Sequence, residues 1–229
     1  QGWFGLVLIV TLYSILAVPF RVSFLENHDI SALWLVIDYF GDVVFFADFI
    51  FRVAFVGFYD ENNNLVVNHR NIWARYVNSG KMKWHVLSML PTEGVVFFYP
   101  SLCPLWKLQM WSFFRMNKLL RAIEMPNLTR QVEYSLARSG IKVPKNPLKV
   151  LKLLLVILML AHINSCVFFA MANFNQHSNM GDPERQLNWA NAQGLLESSP
   201  TCPGNPASYE VISHQYTAAL YWAMATITT

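Results

Sequence analysis

Arg115, Lys118 and Arg121 recur three residues apart inside the apolar stretch FFRMNKLLRAIEM, and few folds can house such a pattern. A cation at the centre of a bilayer costs at least ~2.5–3.5 kcal/mol, so three of them in one apolar segment need counter-charges or a field to act on. Each elementary charge crossing the full membrane field is worth about 2.3 kcal/mol per 100 mV, which makes such a segment a candidate voltage sensor. On an α-helix a spacing of three turns successive charges by about 60°, whereas in a 3₁₀ helix they fall on one face. Taken alone, the segment also fits an amphipathic helix lying on the cytoplasmic membrane surface.

The surrounding chain favours the membrane interior. Only 14% of the residues are charged and 54% are apolar, against roughly 25% charged in soluble domains. Apolar runs long enough to cross, or nearly cross, a hydrocarbon layer of ~30 Å cover Trp3 to Phe20, Ala32 to Phe58, Trp84 to Tyr99, Leu108 to Met125 and Val150 to Phe174. A polar stretch follows, and then a shorter apolar segment from Tyr216 to Ile227. About a dozen residues reach only halfway across a bilayer, so this last segment is expected to be a re-entrant half-span buried in protein. The alternative is an interfacial helix on the outer side.

Lys and Arg set the orientation. Arg70, Arg75, Lys81 and Lys83 lie between the second and third spans, and Arg130, Arg138, Lys142, Lys145 and Lys149 between the fourth and fifth. The loops on the other side hold only Arg21, Lys107 and Arg185. The N-terminus is therefore expected in the cytoplasm, which also makes the glycosylation pattern Asn127-Leu128-Thr129 inert.

On the second span Asp38, Asp42, Asp48 and Arg52 project within an arc of about 120°. Intramembrane carboxylates normally face the bundle interior and pair with opposite charge, and the basic triplet is the available supply. A bridge within one helix, Arg52 to Asp48 at i,i+4, is the structural alternative. His85 near the start of the third span titrates in the physiological range as a side-chain type, although a lone histidine there is more often a satisfied polar residue. His162 and Asn164 lie on an otherwise apolar helix and are expected to hydrogen-bond between helices.

The sequence contains no phosphate loop, nucleophile elbow or paired catalytic carboxylates in a cleft context, so it is not read as an enzyme. Cys103, Cys166 and Cys202 lack metal-ligand spacing, and no metal site is expected. Cys103 and Cys202 both fall on the outer side, where a bridge between them is open, but nothing in the sequence sets their Cα atoms within ~7 Å, and two unpaired thiols are the alternative. The net charge of +3 gives no sign of nucleic-acid binding. The chain opens at Gln1 with apolar residues and without Met, which suggests a piece of a longer polypeptide.

The runs LVIDYFGDVVFFADFIFRVAFVGF, SMLPTE, RMNKLLRAIE, LAHINSCVFF and YTAALYWAMATITT occur in this order over almost the whole chain. Together they resemble the cyclic-nucleotide-gated and hyperpolarization-activated cation channel superfamily, including its potassium-selective relatives. The resemblance implies an all-α membrane protein: a four-helix voltage-sensing bundle over residues 1–125, a cytoplasmic linker over 126–148, and the first part of a pore domain over 149–229. That last part would comprise an outer pore helix, an extracellular turret and a re-entrant pore helix.

By the same resemblance Arg115, Lys118 and Arg121 are gating charges, and Asp38, Asp42 and Asp48 their acidic counter-charges. Tyr221, Trp222 and Thr226 belong to the pore helix, and Thr228 and Thr229 lead into the selectivity filter. The implied partners are the lipid bilayer, permeant monovalent cations and three further subunits or repeats, in a plasma or ciliary membrane. The resemblance implies no cofactor in this chain, a cyclic nucleotide (cAMP or cGMP) in a domain beyond it, and the filter and a sixth helix after Thr229.

Two positions depart from the resembled pattern. His85 stands where the family usually has an aspartate, and Glu124 where another basic residue is common. A freestanding voltage-sensing module such as a proton channel, and a secondary transporter, are the competing functional readings. A freestanding sensor needs only four helices, and broken-helix transporters show inverted repeats, which are not visible in this sequence.

Overall fold

The computed structural model describes residues 2–25, 32–54, 58–59, 65–66, 68–78, 80–92, 107–140, 144–178, 189–192 and 209–228. Helices dominate them, as a chain in a hydrocarbon layer requires, because only a helix or a closed barrel satisfies its own backbone there. Two described helices are long and apolar enough to span by themselves: α1, Trp3–Phe24, and the stretch Asn146–Phe174. The second helix, α2 (Ala32–Ala54), fails that test because it carries Asp38, Asp42, Asp48 and Arg52. Its sequence-derived span ran four residues further, to Phe58. Phe58–Tyr59 (β1) instead pairs antiparallel with Leu65–Val66 (β2), with Phe58 opposite Val66.

The remaining elements are α3 (His69–Asn78), α4 (Lys81–Met89), α5 (Lys107–Phe114), a 3₁₀ segment (Arg115–Glu124), α6 (Met125–Arg138), α7 (Lys145–Ser178), α8 (Trp189–Ala192) and α9 (Tyr209–Thr228). Gly80, at φ 72°, makes the turn into α4, a conformation open to glycine at little cost. The helix stops at Leu90, whose extended backbone (ψ 128°) is what a residue before proline adopts. The third expected span, Trp84 to Tyr99, is thus described only as far as Thr92.

Two compact units form. The first gathers Gln1–Ser14, Ser31–Thr92 and Asn117–Lys142. Its core is Val7 and Val10 of α1, Val44 and Phe45 of α2 and Leu128 of α6, with Trp3, Leu6 and Leu8 packed on it. A Cβ on Gly41 would lie 3.2 Å from Val10 Cγ1, so the missing side chain lets α1 and α2 approach closely. Gly41→Val is expected to cost about 1–3 kcal/mol of stability through overpacking, and Gly41→Ala less. Thermal unfolding in detergent measures this, and a valine variant melting at the wild-type temperature would contradict the close approach.

The second unit gathers Ile15–Ile30, Glu93–Met116 and Val143–Thr229. Here α7 and α9 pack along one another. Phe24 stacks on Phe169 with centroids 4.4 Å apart, and Ser23 Oγ donates to the Cys166 carbonyl at 2.8 Å. These contacts tie the later half of α1 to α7, so the compact units divide the chain differently from the sequence boundary at residue 125.

One expectation changes. The segment from Tyr216 is not a dozen-residue helix: α9 has 20 residues and begins at Tyr209. The polar stretch YEVISHQ is helical too, with Glu210 in the first turn, where a carboxylate complements the helix dipole. Length alone therefore no longer makes α9 a half-span.

Candidate functional site

The 3₁₀ segment runs for ten residues, Arg115–Glu124, although such runs rarely exceed 3–4 residues. Three residues per turn put Arg115, Lys118, Arg121 and Glu124 in one row, and all four are buried. The three cations are 3%, 3% and 2% exposed in chain order, which no helix lying on a membrane surface would show. Arg115 sits over the Trp111 ring, 5.9 Å from its centroid. Lys118 Nζ is 3.2 Å from Asp42 Oδ1.

Arg121 is held by several groups at once. Its Nη1 donates to Asp48 Oδ2 at 3.1 Å, its Nη2 to the Phe45 carbonyl at 3.1 Å and its Nε to Ser88 Oγ at 3.3 Å. The guanidinium also lies 4.3 Å from the centroid of the Phe45 ring, a cation–π placement. A guanidinium whose fork meets a carboxylate and two further acceptors can stay charged in a dry site.

Asp48 serves three partners. Besides Arg121 it accepts from Arg52 Nε at 2.8 Å and from Trp3 Nε1 at 3.3 Å. The bridge within α2 and the bridge to the basic row thus coexist. Asp38 is buried and accepts from the Tyr13 hydroxyl at 3.2 Å. Asn117 Nδ2 donates to the Leu87 and Leu90 carbonyls at 3.2 and 2.8 Å. It thereby holds the 3₁₀ segment to the end of α4, where carbonyls lack helical partners.

At the end of the row the charge reverses. Glu124 Oε1 is 2.7 Å from His85 Nε2, and its Oε2 is 3.4 Å from Arg52 Nη1. On its other side His85 Nδ1 meets the Tyr76 hydroxyl. Burial pushes the Tyr76 phenol well above its ordinary value, so the hydroxyl keeps its proton. The sequence signalled this group as two departures from one pattern, and the structure makes them a pair.

In the second unit His162 is a junction. Its Nδ1 is 2.9 Å from the Tyr216 hydroxyl on α9 and its Nε2 is 3.0 Å from the Leu16 carbonyl on α1. Phe20 and Phe24 set their edges against Tyr216 at 5.4 and 5.5 Å. Asn164 is exposed and plays no such part. Trp222 lies near Phe168 and Trp189, at 6.5 and 6.3 Å, whereas Tyr221 is 71% exposed in the single chain. The hydroxyls of Thr226 and Thr228 donate back to the Trp222 and Met224 carbonyls, at 2.8 and 2.9 Å. Thr229, Cys103 and Cys202 lie outside the described residues, and Cys166 is a buried free thiol. No group of three or more potential metal ligands occurs among the described residues.

The whole chain, residues 1–229, matches the ion transport protein family, and the chain belongs to it. The family is one of transport proteins rather than enzymes. Similar proteins include a cyclic nucleotide-gated cation channel protein of Drosophila melanogaster, 26% identical over 229 residues. That alignment covers 99% of this chain and 30% of the fly protein. Cyclic nucleotide-gated channel alpha-2 of Mus musculus is 25% identical, covering 99% and 29%. The rod photoreceptor cyclic nucleotide-gated channel of Gallus gallus, in its alpha form, is 24% identical, covering 100% and 30%. The chain therefore spans less than a third of the relatives it matches.

Proposed function

We propose that the chain is part of a cation-channel subunit. Residues 1–125 act as a voltage-sensing domain, 126–148 as a cytoplasmic linker and 149–229 as the first part of a pore domain. The observation that carries this reading is the buried 3₁₀ row, with Lys118 on Asp42 and Arg121 on Asp48. In a row with one residue per three, a shift of about 6 Å moves each cation to its neighbour's place. Charge then crosses part of the field while the pairing is renewed at each stop. Family membership and the names of the similar proteins support a cation channel gated by cyclic nucleotide; monovalent cations and a voltage stimulus are the finer part of this reading.

In this reading the N-terminus is cytoplasmic, in a plasma or ciliary membrane, and four subunits or repeats surround one pore. The negative C-terminal end of α9 faces the ion path and favours cations, with Thr228 and Thr229 at the approach to the filter. The ligand, cAMP or cGMP, binds a domain beyond this chain.

Expression of the full-length subunit with recording from excised inside-out patches tests the reading. A current that reverses with the monovalent cation gradient, and that cyclic nucleotide or voltage controls, is the expected result. Current carried by protons alone would indicate a freestanding sensor module, and stoichiometric coupled flux a transporter. Surface-expressed protein with no current would reject the reading.

A further inference from the structure

The short helix α3 has two unlike faces. At 100° per residue Ile72 and Tyr76 project to one side, and Arg70, Trp73, Ala74 and Val77 to the other within an arc of about 100°. The first side is satisfied inside the unit: Ile72 is buried, and Tyr76 meets His85 of α4 and, at 6.0 Å between centroids, the Phe49 ring of α2. The second side is exposed, yet it is apolar and basic rather than simply polar. Trp73 is 43% exposed, with Arg70, Ala74 and Val77 exposed beside it.

The exposed face continues onto α4. Lys83 and Trp84 stand near its start, Trp84 at 47% exposure, and Val86, Leu87 and Leu90 are exposed further along. On the helix that opens the third span, those three apolar side chains meet hydrocarbon. Lys83 lies three to four residues, about 5 Å, nearer the cytoplasm, which is the height of the lipid headgroups. The turn at Gly80 and the contact of Tyr76 with His85 hold α3 to the same end of α4. Tryptophan suits that level, because its ring is apolar and its N–H is polar.

Charge selects the kind of lipid. From His69 to Met89 the chain carries Arg70, Arg75, Lys81 and Lys83 and no aspartate or glutamate. The cytoplasmic leaflet is the anionic one, and each Lys or Arg close to it strengthens attachment roughly fivefold. A helix that sets aromatic and aliphatic side chains beside cations rests with its apolar side in the boundary between headgroups and acyl chains.

We propose that the exposed face of α3, with Lys83 and Trp84 of α4, is a docking surface for anionic phospholipid of the cytoplasmic leaflet. The lipid anchors the corner between α3 and α4 from which Tyr76 reaches Phe49 and His85. This rests on reading α4 as the start of the third span with the N-terminus in the cytoplasm, but not on movement of the basic row or on the pore.

The test uses the full-length subunit, its other reactive cysteines replaced, with a bimane fluorophore on Ala74→Cys, between Trp73 and Val77 on the exposed face. It is reconstituted in bilayers of phosphatidylcholine and phosphatidylserine, with bromine placed high on the acyl chains of one lipid or the other as quencher. Brominated phosphatidylserine is expected to quench with a preference of about fivefold or more over brominated phosphatidylcholine. Salt at about 1 M should weaken the preference by screening, and Arg70→Gln with Lys83→Gln should abolish it. A second label, on Leu87→Cys, should be quenched alike by both lipids, in the double variant too, which shows that the variant is folded and inserted.

Quenching at Leu87 with none at Ala74 would mean that protein covers α3, and would overturn the proposal. So would equal quenching of Ala74 by both lipids, or a preference that survives the double variant. Absence of quenching at Leu87 would remove α4 as a span and the proposal with it. A subunit that shows the preference but passes no current would remove the channel reading and leave this surface standing.

Discussion

Replacing Arg115, Lys118 and Arg121 together by glutamine in the full-length subunit is expected to abolish most of its voltage-driven charge movement. Each charge that crosses the full field contributes about 2.3 kcal/mol per 100 mV, so the three cations supply at most about 7 kcal/mol per 100 mV in each subunit. Glu124, moving with them, subtracts one share. The triple variant retains no positive charge in the row, and its residual response would carry the sign of Glu124. Glutamine keeps hydrogen-bonding capacity toward Asp42, Asp48 and the Phe45 carbonyl, so the helices still find partners. Gating-charge measurement is the readout. Unchanged charge movement would take these residues out of the sensor, whatever the pore does.

The same row shows what the sequence could and could not reveal. Its spacing of three announced that a 3₁₀ segment would align the charges, but nothing local says that the backbone adopts one. That choice depends on where Asp42 and Asp48 lie across α2, a tertiary fact. The acidic face of α2 was legible because 100° per residue is a strong geometric constraint. Sharing of Asp48 among Arg121, Arg52 and Trp3 was not, since Trp3 lies 45 positions away. His85 and Glu124 each looked like a defect when read against a pattern one position at a time. Read as a pair, the exchange of an expected acid for a titratable base on one helix, and of a base for an acid on the facing segment, predicts their contact.

Helix ends were legible where a backbone rule applies, as at Leu90 before Pro91. They were not legible at the start of α9. There hydropathy marked Tyr216 while the helix begins seven residues earlier, because a polar sequence can be helical without being apolar. His162 was visible as a polar residue on an apolar helix. Its partners, the Leu16 carbonyl and the Tyr216 hydroxyl, come from opposite ends of the chain and leave no local signature.

The other large effect falls on stability. Asp48→Ala removes the carboxylate that Arg121 and Arg52 share, both within 3.1 Å of it, and leaves their charge without that partner in a buried site. Breaking a buried pair in this way costs about 3–5 kcal/mol, a large part of the roughly 5–15 kcal/mol that holds a domain folded. Arg52 retains Glu124, so most of the loss falls on Arg121, which among the described residues keeps Ser88, the Phe45 carbonyl and the Phe45 ring. Asp48→Asn leaves an acceptor in place and should lose less. Asp42→Asn should lose least, because the Asp42 side chain is 23% exposed and water screens its pair with Lys118. Removing the orphaned charge as well, in Asp48→Leu with Arg121→Leu, should recover part of the stability, since an apolar pair of similar volume avoids the desolvation cost. Surface biotinylation and thermal unfolding of the solubilised protein rank the four variants. Should Asp48→Ala prove no less stable than Asp42→Asn, or the double variant be worse than Asp48→Ala alone, the bridge to Arg121 would not be what holds the 3₁₀ segment in the bundle.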